Sequence, residues 1–462
     1  MLNNMIKTKI NYFLFVLLLA GFTSVAQDKK WTLQECVEYA LKNNISVKQS
    51  ELDLQSAKID KNSALGNFLP SLNAGANHSW NIGLNQNITT GLLENQTTQF
   101  SSVSLNSSVD IYNGLQNQNR LRRAKLSELA SQYNLSKIQD DISLSVANAY
   151  LNILFNKENL KVQQAQLIND EKQLKRSEEL VKAGSVPRGD LLDVKATVAL
   201  DKQKILVAEN NLLISKLSLA QLLQLDDFKN FDIVDENINA EQSATLLEKP
   251  QTIYEKALEH RIEIKIAKTN LDVAERDVKI AKGTMQPSLS GFYSFSTRAS
   301  YSDRIIGVDG GGNPIVAGPL PLFDQFSDNK GHNFGLQLNV PILNGFSARN
   351  NVAKSKVNYE RIKNAYNQAE LDLERNVYTA FTDANAALKT YESAVSALEA
   401  REEAFNYAKE KFAVGMMNAF DYNQAQLLYT TAQSDAIRAK YDFIFKEKVV
   451  ELYFGIPILK KP

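Results

Sequence analysis

From Leu115 to Lys182, and again from Phe346 to Ala413, the chain runs without one proline or glycine. Both residues break helices, so each run predicts an uninterrupted helix of ~100 Å at 1.5 Å per residue. Few globular domains can accommodate an element of that length. Each run ends in a similar turn, "AGSVPRGDLLD" and "VGMMNAFDYNQ", where an aspartate follows a glycine by six positions. These pairs, Gly184 with Asp190 and Gly415 with Asp421, lie 231 positions apart.

The repetition extends further. The stretch from Tyr39 aligns without a gap on the stretch from Lys256 at an offset of 217: Ala40 meets Ala257, Ala57 meets Ala274, and Pro70-Ser71-Leu72 meets Pro287-Ser288-Leu289. By Gly114 and Gly345, which end "VDIYNG" and "VPILNG", the offset has become 231, so the second half carries 14 extra residues (231 minus 217) between Leu289 and Gly345. Such self-similarity marks an internally duplicated architecture. Each half opens with a helix-period segment, Leu33 to Gly66 and Thr252 to Gly283, and closes with another, Asp190 to Leu225 and Asp421 to Phe454. Laid end to end, the opening and closing helices match the long helix, so each half is expected to be a long antiparallel pair.

Between opening and long helix the period changes to two. Leu72, Ala74, Ala76, Trp80 and Ile82 alternate with polar residues, as do Val103, Leu105, Val109 and Ile111. The second half repeats this with Leu289, Tyr293 and Phe295, then with Phe334, Leu336, Leu338, Val340 and Ile342. Four strands are expected, at about 69–83, 101–112, 288–297 and 333–343, each with one apolar and one polar face. Their apolar stretches are long enough to cross a bilayer as tilted strands, and their aromatic residues suit the interfacial girdles of a barrel. The alternative, a sheet packed on helices in an ordinary α+β domain, fits poorly with helices so long and polar. Four strands cannot close in lipid, because open edges leave backbone groups unsatisfied, so several chains must share one barrel. Three copies would supply twelve strands. The Gly- and Asn-rich segments 83–99 and 297–330 read as external loops.

Lys7 and Lys9 precede the apolar run "INYFLFVLLLAGF" and then Ser24, Val25 and Ala26, the pattern of a signal peptide cleaved after Ala26. A retained anchor is the alternative, but the run is short for a span and a polar segment follows. The 52 basic and 52 acidic residues balance, which argues against nucleic acid as a partner. The single cysteine, Cys36, excludes an intramolecular disulfide and reads as a small packed hydrophobe. The chain thus divides into a signal peptide 1–26, a first repeat 27–225 with long helix 115–182 and tip turn 183–190, a segment 226–250 outside both repeats, and a second repeat 251–462 with long helix 346–413 and tip turn 414–421.

Taken together, "WTLQECVEYALKNN", the paired "PSL" strand entries, the paired "NG" strand exits and the two G-x5-D turns resemble the TolC-like outer-membrane efflux proteins over almost all of the mature chain. Each motif alone is weak; their order, duplication and spacing carry the likeness. The resemblance implies an α+β membrane protein: a homotrimer with a twelve-stranded barrel in the outer membrane of a Gram-negative cell, and a coiled-coil helical tunnel in the periplasm. It implies docking of the tip turns, at Gly184, Ser185, Val186, Gly415, Met416 and Met417, with a periplasmic adaptor (membrane fusion protein) and an inner-membrane pump. It also implies a gate. Asp421 matches the first aspartate of the family's constricting ring, where three carboxylates around a threefold axis would favour cations; the second falls on Gln424. Asp190 matches the aspartate of the family's polar lock, but Phe412 and Met417 stand at the tyrosine and arginine positions, so an apolar constriction from Phe412, Met416 and Met417 is the expected substitute. Plain N-capping is the competing role for both aspartates. Segment 226–250 resembles the family's belt around the tunnel, with a simple linker as the alternative.

Other functions fit less well. His78, His260 and His332 lie in unrelated contexts, and no metalloprotease, nucleophile-elbow or phosphate-loop motif is present, so neither catalysis nor a cofactor or metal site is expected. A periplasmic adaptor would share the long helical hairpin but would have one hairpin and compact β-domains. The cargo is not written in these residues, since selection in such systems usually lies in the pump.

Overall fold

The computed structural model describes residues 30–86, 91–226, 228, 230–236, 238–240 and 242–457. The expected signal peptide lies outside the described residues. In chain order the elements are β1 (Lys30–Trp31), α1 (Leu33–Asn43), α2 (Ile45–Gly66), β2 (Ser71–Gln86), β3 (Leu93–Asn113), α3 (Gln116–Lys182), α4 (Arg188–Leu223) and β4 (Asp232–Ile233). A 3₁₀ turn (Ala244–Leu247) follows, then α5 (Pro250–His260), α6 (Ile262–Gly283), β5 (Ser288–Ser300), β6 (Arg304–Val308), β7 (Pro314–Ala317), α7 (Leu322–Asp328), β8 (Gly331–Asn339), α8 (Ser347–Ala413) and α9 (Ala419–Phe454).

These divide into two compact units, one drawing on residues up to Glu51, Leu135–Ile262 and Glu370 onward, the other on Leu52–Asn134 and Glu263–Ala369. The second unit holds an antiparallel sheet in the order β2-β3-β5-β8. Ser71 pairs with Ser108 in the first half, and Ser288 pairs with Asn339 in the second. These partners stand at offsets of 217 and 231, so the duplication holds to the register of each hairpin. Among the described residues the apolar strand faces carry no cover at these positions: Leu72, Trp80, Ile82, Phe334, Leu336 and Leu338 are all exposed. Below the sheet, Gly114 and Leu115 both take left-handed backbone angles (φ 56° and 58°), and Gly345 and Phe346 repeat them (φ 58° and 62°). Two such residues in succession turn the strand sharply into the long helix. Only the glycine does so without steric cost.

The strands differ from the sequence reading at their ends. β3 begins at Leu93 rather than 101, because Leu93 to Gln99 extend the ladder opposite Gln86 to Trp80. Apolar alternation marks only the face that seeks hydrocarbon, whereas backbone pairing continues through polar residues. β8 stops at Asn339, since Pro341 has no N–H to donate to a ladder. The segment read as one loop, 297–330, contains the β6–β7 hairpin and α7. The 14 extra residues of the second half fall there.

The first unit is helical around a core of Cys36, Val146, Tyr150, Leu219, Ile233 and Ile444. Thr32 begins α1 with a capping box: its hydroxyl accepts from the Glu35 N–H (3.2 Å), and its own N–H donates to the Glu35 carboxylate (3.0 Å). Each opening helix, read as continuous, is interrupted once, at Asn44 and at Arg261, which share the offset of 217 and extended angles (ψ 133° in both). Asn44 causes its break by doing two jobs: its Nδ2 donates to the Leu222 carbonyl (2.9 Å) and its Oδ1 accepts from the Ser46 N–H (2.9 Å), which caps α2.

Segment 226–250 packs against this core. β4 pairs in parallel with β1, and Phe231 and Ile233 are buried. Lys157 Nζ donates to the Ile233 carbonyl (2.8 Å) and lies 2.8 Å from both Asp232 and Asp235. Glu447 accepts from the Ser243 N–H (2.6 Å) on the far side of the segment.

Candidate functional site

The long helices end in matching Schellman turns. At the first, Ser185 N–H donates to Leu180 O (2.9 Å) and Gly184 N–H to Val181 O (3.0 Å); at the second, Met416 N–H donates to Lys411 O (2.8 Å) and Gly415 N–H to Phe412 O (3.2 Å). Gly184 and Gly415 carry the required positive φ, 72° and 78°. After the turns the halves diverge. Pro187 precedes α4 and contributes no side-chain cap, whereas Asn418 caps α9 by accepting from the Asp421 N–H (2.8 Å) and donating to the Asp421 carboxylate (3.0 Å).

Neither aspartate is therefore an N-cap. Asp190 and Asp421 each occupy the third helical position, where a negative charge meets the positive end of the helix dipole. Asn418→Ala is expected to cost about 1 kcal/mol in the first turn of α9. Faster amide exchange at Asp421, with the rest of α9 unchanged, is the result that checks it.

The remaining tip residues fall into distinct settings. Met416 is exposed, together with Val414 and Phe420, while Met417 and Val186 are half-buried. Gln424 is exposed, as are Gly184, Ser185 and Gly415. Phe412 stacks on Tyr422 (4.6 Å between centroids, 19° between planes), and Phe405 stacks on Tyr429 seven residues along (5.3 Å, 10°). These pairs bind α8 to α9 just inside the turn, so the ring of Phe412 is engaged within its own hairpin.

Sequence reasoning missed three groups here, of which Arg176 and Asp170 tie the two hairpins together. Arg176 of α3 donates from Nη2 to the carbonyl of Ala413, the last residue of α8 (2.8 Å). Asp170 of α3 is 2% exposed and accepts from Gln426 Nε2 of α9 (2.6 Å) and from Gln166 Nε2 (2.8 Å). Facing it on α4 is Asp201, also 2% exposed, with one oxygen held by Lys204 Nζ (3.0 Å). Burial, and then the hydrogen bond to Asp201, push the Asp170 carboxyl up to about 7. Burial, with the Asp170 charge behind it, pushes the Tyr422 phenol up to about 12. A signal for these residues existed. Asn156, Gln163, Asp170 and Ser177 follow one seven-residue line on α3, and Val194, Asp201, Ala208 and Ser215 another on α4. A heptad line of small and polar residues is the mark of a helix seam with polar contacts inside it.

Among the described residues no helix is long and apolar enough to cross a membrane, and no cluster of side chains is arranged to hold a metal. Exposed apolar side chains line the sheet, and others lie along the helices, at Leu192, Leu200, Leu206 and Ile214 of α4 among them.

The family described as outer membrane efflux protein matches residues 36–224 and 253–453, the two halves of the duplication. The outer membrane protein TolC of Escherichia coli strain K12 is 22% identical over 445 residues, covering 95% of this chain and 84% of its own. The pyoverdine export outer membrane protein OpmQ of Pseudomonas aeruginosa is 23% identical, covering 92% and 86%. The crystal structure of the outer membrane protein VceC from Vibrio cholerae superposes with a TM-score of 0.74 over 92% of this chain and 97% of that one at 18% identity, a likeness of fold.

Proposed function

The chain belongs to the outer membrane efflux protein family, and we propose that three copies of it join into a twelve-stranded barrel continuous with a helical tunnel. Through this tunnel solutes delivered by an inner-membrane pump and a periplasmic adaptor leave the cell passively. The observation that carries this reading is a four-stranded sheet with a bare apolar face and two open edges, in one chain with two matching helix-turn-helix tips. A sheet of that kind is satisfied in hydrocarbon only as part of a closed barrel.

In this reading the tip turns dock the adaptor, with Met416, Val414 and Phe420 offering the larger apolar surface. The gate lies beside them. Asp421, exposed and in the first turn of α9, recurs three times around the axis and selects for cations. Asp190 and Gln424 belong to the same constriction, and Phe412 and Met417 stiffen the hairpin behind it. The gate opens when the two hairpins part, which breaks the Arg176 bond to Ala413.

Single-channel conductance of the detergent-extracted protein in a planar bilayer tests this. The native protein is expected to give discrete, cation-selective steps, and Asp421→Ala to lower the cation preference severalfold with the step size retained or raised. A protein that fractionates with the membrane yet never conducts would overturn the channel. Unchanged selectivity in Asp421→Ala would remove the aspartate ring.

A further inference from the structure

The apolar face of the sheet is not evenly filled. On this face Ser107 of β3 stands beside Tyr293 of β5, which pairs with Phe334 of β8; the next row toward the helices is Val109, Gly291 and Leu336. Two small residues, Ser107 and Gly291, thus lie diagonally among four large ones, and a groove of about 360 Å³ opens there. Tyr293 widens it. Its row partner is Phe334, but its hydroxyl shares a 2.9 Å hydrogen bond with Nδ1 of His332 in the row above, so the ring leans toward the loops and away from Gly291. Glycine inside a strand gives up packing and often marks the close approach of a ligand or another backbone. A Cβ on Gly291 would make only ordinary contacts, at 3.5 Å or more from Ile111, Val109 and Leu336, so a methyl at this position would fit.

The depth of the groove follows from what covers the same face above it. Thr297 and Ala299, the next residues of β5 on this face after Phe295, are 7% and 1% exposed, and the Thr297 hydroxyl donates to the Phe326 carbonyl of α7 (2.8 Å). On α7, Asp324 and Asp328 are exposed. The face therefore changes between Phe295 and Thr297 from bare apolar residues to a covered surface with carboxylates on its outside. Tyr293 and His332 stand just on the apolar side of that change, and Phe334, Leu336 and Leu338 continue below them, all exposed. Aromatic residues with a polar end mark the membrane–water boundary on the wall of a barrel.

We propose that this groove holds one acyl chain of a lipid from the outer leaflet, with oxygens of its head group hydrogen-bonded by Tyr293 and His332. The proposal rests on the channel reading above for which face meets hydrocarbon and which end of the sheet lies outside. A phenol and an imidazole bonded to each other keep capacity for a further partner, since the hydroxyl both donates and accepts and the imidazole has a second nitrogen. Along a wall of even height, lipid chains exchange without a fixed seat. A chain lying between Tyr293 and Phe334 on one side and Val109 and Leu336 on the other is held along its length and at its head. The consequence is one slowly exchanging lipid per chain, amid a shell that exchanges freely. The site lies wholly within β3, β5 and β8 of one chain, so it is separate from the way copies join.

Native mass spectrometry of the detergent-extracted protein, stripped of lipid and titrated with lipid A, tests the site. One lipid A per chain is expected to survive at collision energies that remove all further adducts. Gly291→Leu, whose side chain fills the groove, is expected to lower that occupancy at least tenfold, and Gly291→Ala less than twofold. Tyr293→Phe keeps the groove but is expected to lose severalfold in its preference for lipid A over dioleoylglycerol, which has no phosphate. Heat-modifiable migration checks that each variant is folded; should Gly291→Leu fail that check, the stoichiometry of the native protein and the Tyr293→Phe comparison decide. Equal occupancy in the native protein and Gly291→Leu, native adducts that all leave together, or a polypeptide retained in place of lipid overturns the site. Each of these leaves the channel standing, since conductance of the native protein decides that separately. A native protein that neither enters the membrane fraction nor conducts overturns both.

Discussion

Gly114→Ala is expected to prevent the sheet-bearing unit from folding. Two penalties coincide at this residue. Its φ of 56° lies in the left-handed region, which costs a residue bearing a Cβ about 1 kcal/mol or more, and the added methyl would sit inside the backbone of Gly283. A backbone carbonyl cannot swing aside as a flexible side chain can. Relief requires α6 to move away from the junction, which also strains the Arg123 to Asp277 salt bridge and the Tyr112 to Gln286 hydrogen bond. The combined loss is expected to exceed about 3 kcal/mol, beyond the usual range for a surface change. Gly312→Ala is the control, because Gly312 also has a positive φ (85°) but stands in open space, so its variant pays the backbone penalty alone. The comparison is read as the yield of folded, heat-modifiable protein in the membrane fraction. Equal yields from the two variants would show that the close approach is not a constraint.

The second large effect is one of pH. The Asp170 carboxyl titrates near 7 in the folded protein, against 3.8 for an ordinary aspartate. Between those values the folded state holds a proton that the unfolded state has released. Stability therefore falls as pH rises through the window from about 4 to about 7, with a slope of at most about 1.4 kcal/mol per pH unit for one proton. Above it, the cluster carries two buried carboxylates, with Lys204 Nζ bonded to Asp201. The groups around Asp170 are Gln166 on its own helix, Asp201 and Lys204 on α4, and Gln426 and Tyr422 on α9. Loosening is thus expected where these three helices meet, above the tip turns. Amide exchange in α4 and α9 should accelerate severalfold between pH 5 and pH 8 in the native protein, and much less in Asp170→Asn, whose amide is neutral throughout. The same acceleration in both proteins would remove Asp170 as its source.

Much of the architecture was legible because the chain states it twice. Gly184 and Gly415 mark the helix turns, and the "NG" pairs mark the junctions at Gly114 and Gly345; an accident at one site is unlike an accident repeated at a fixed offset. The structure adds a repetition that a glycine announces at one site only: Gln224 and Gly455, also 231 apart, both end closing helices in the left-handed region. The helix breaks at Asn44 and Arg261 were not legible, because apolar spacing continues across them, and at Asn44 the cause is a side chain bonded to a helix distant in sequence. The strand ends were missed for a related reason. Backbone pairing is indifferent to polarity, so Glu94 to Gln99 belong to the ladder although they look like loop. The cap at Asn418 was open to view, three residues before Asp421, but the more evident aspartate drew the assignment. Asp170 and Asp201 were hidden by their charge, since a carboxylate on a long polar helix is ordinarily assigned to solvent.

The open edges of β2 and β8 also bear on how the protein reaches its destination. One chain placed alone in the bilayer would leave two rows of N–H and C=O groups facing hydrocarbon, each unsatisfied group costing several kcal/mol. On the proposed shared barrel, the solitary chain would thus be barred from the membrane interior, and joining and insertion would form a single kinetic event. The rate of appearance in the membrane accordingly depends on chain concentration with an order above one. At low expression, chains wait outside the bilayer with their apolar strands uncovered, where a holding chaperone or a protease can reach them first.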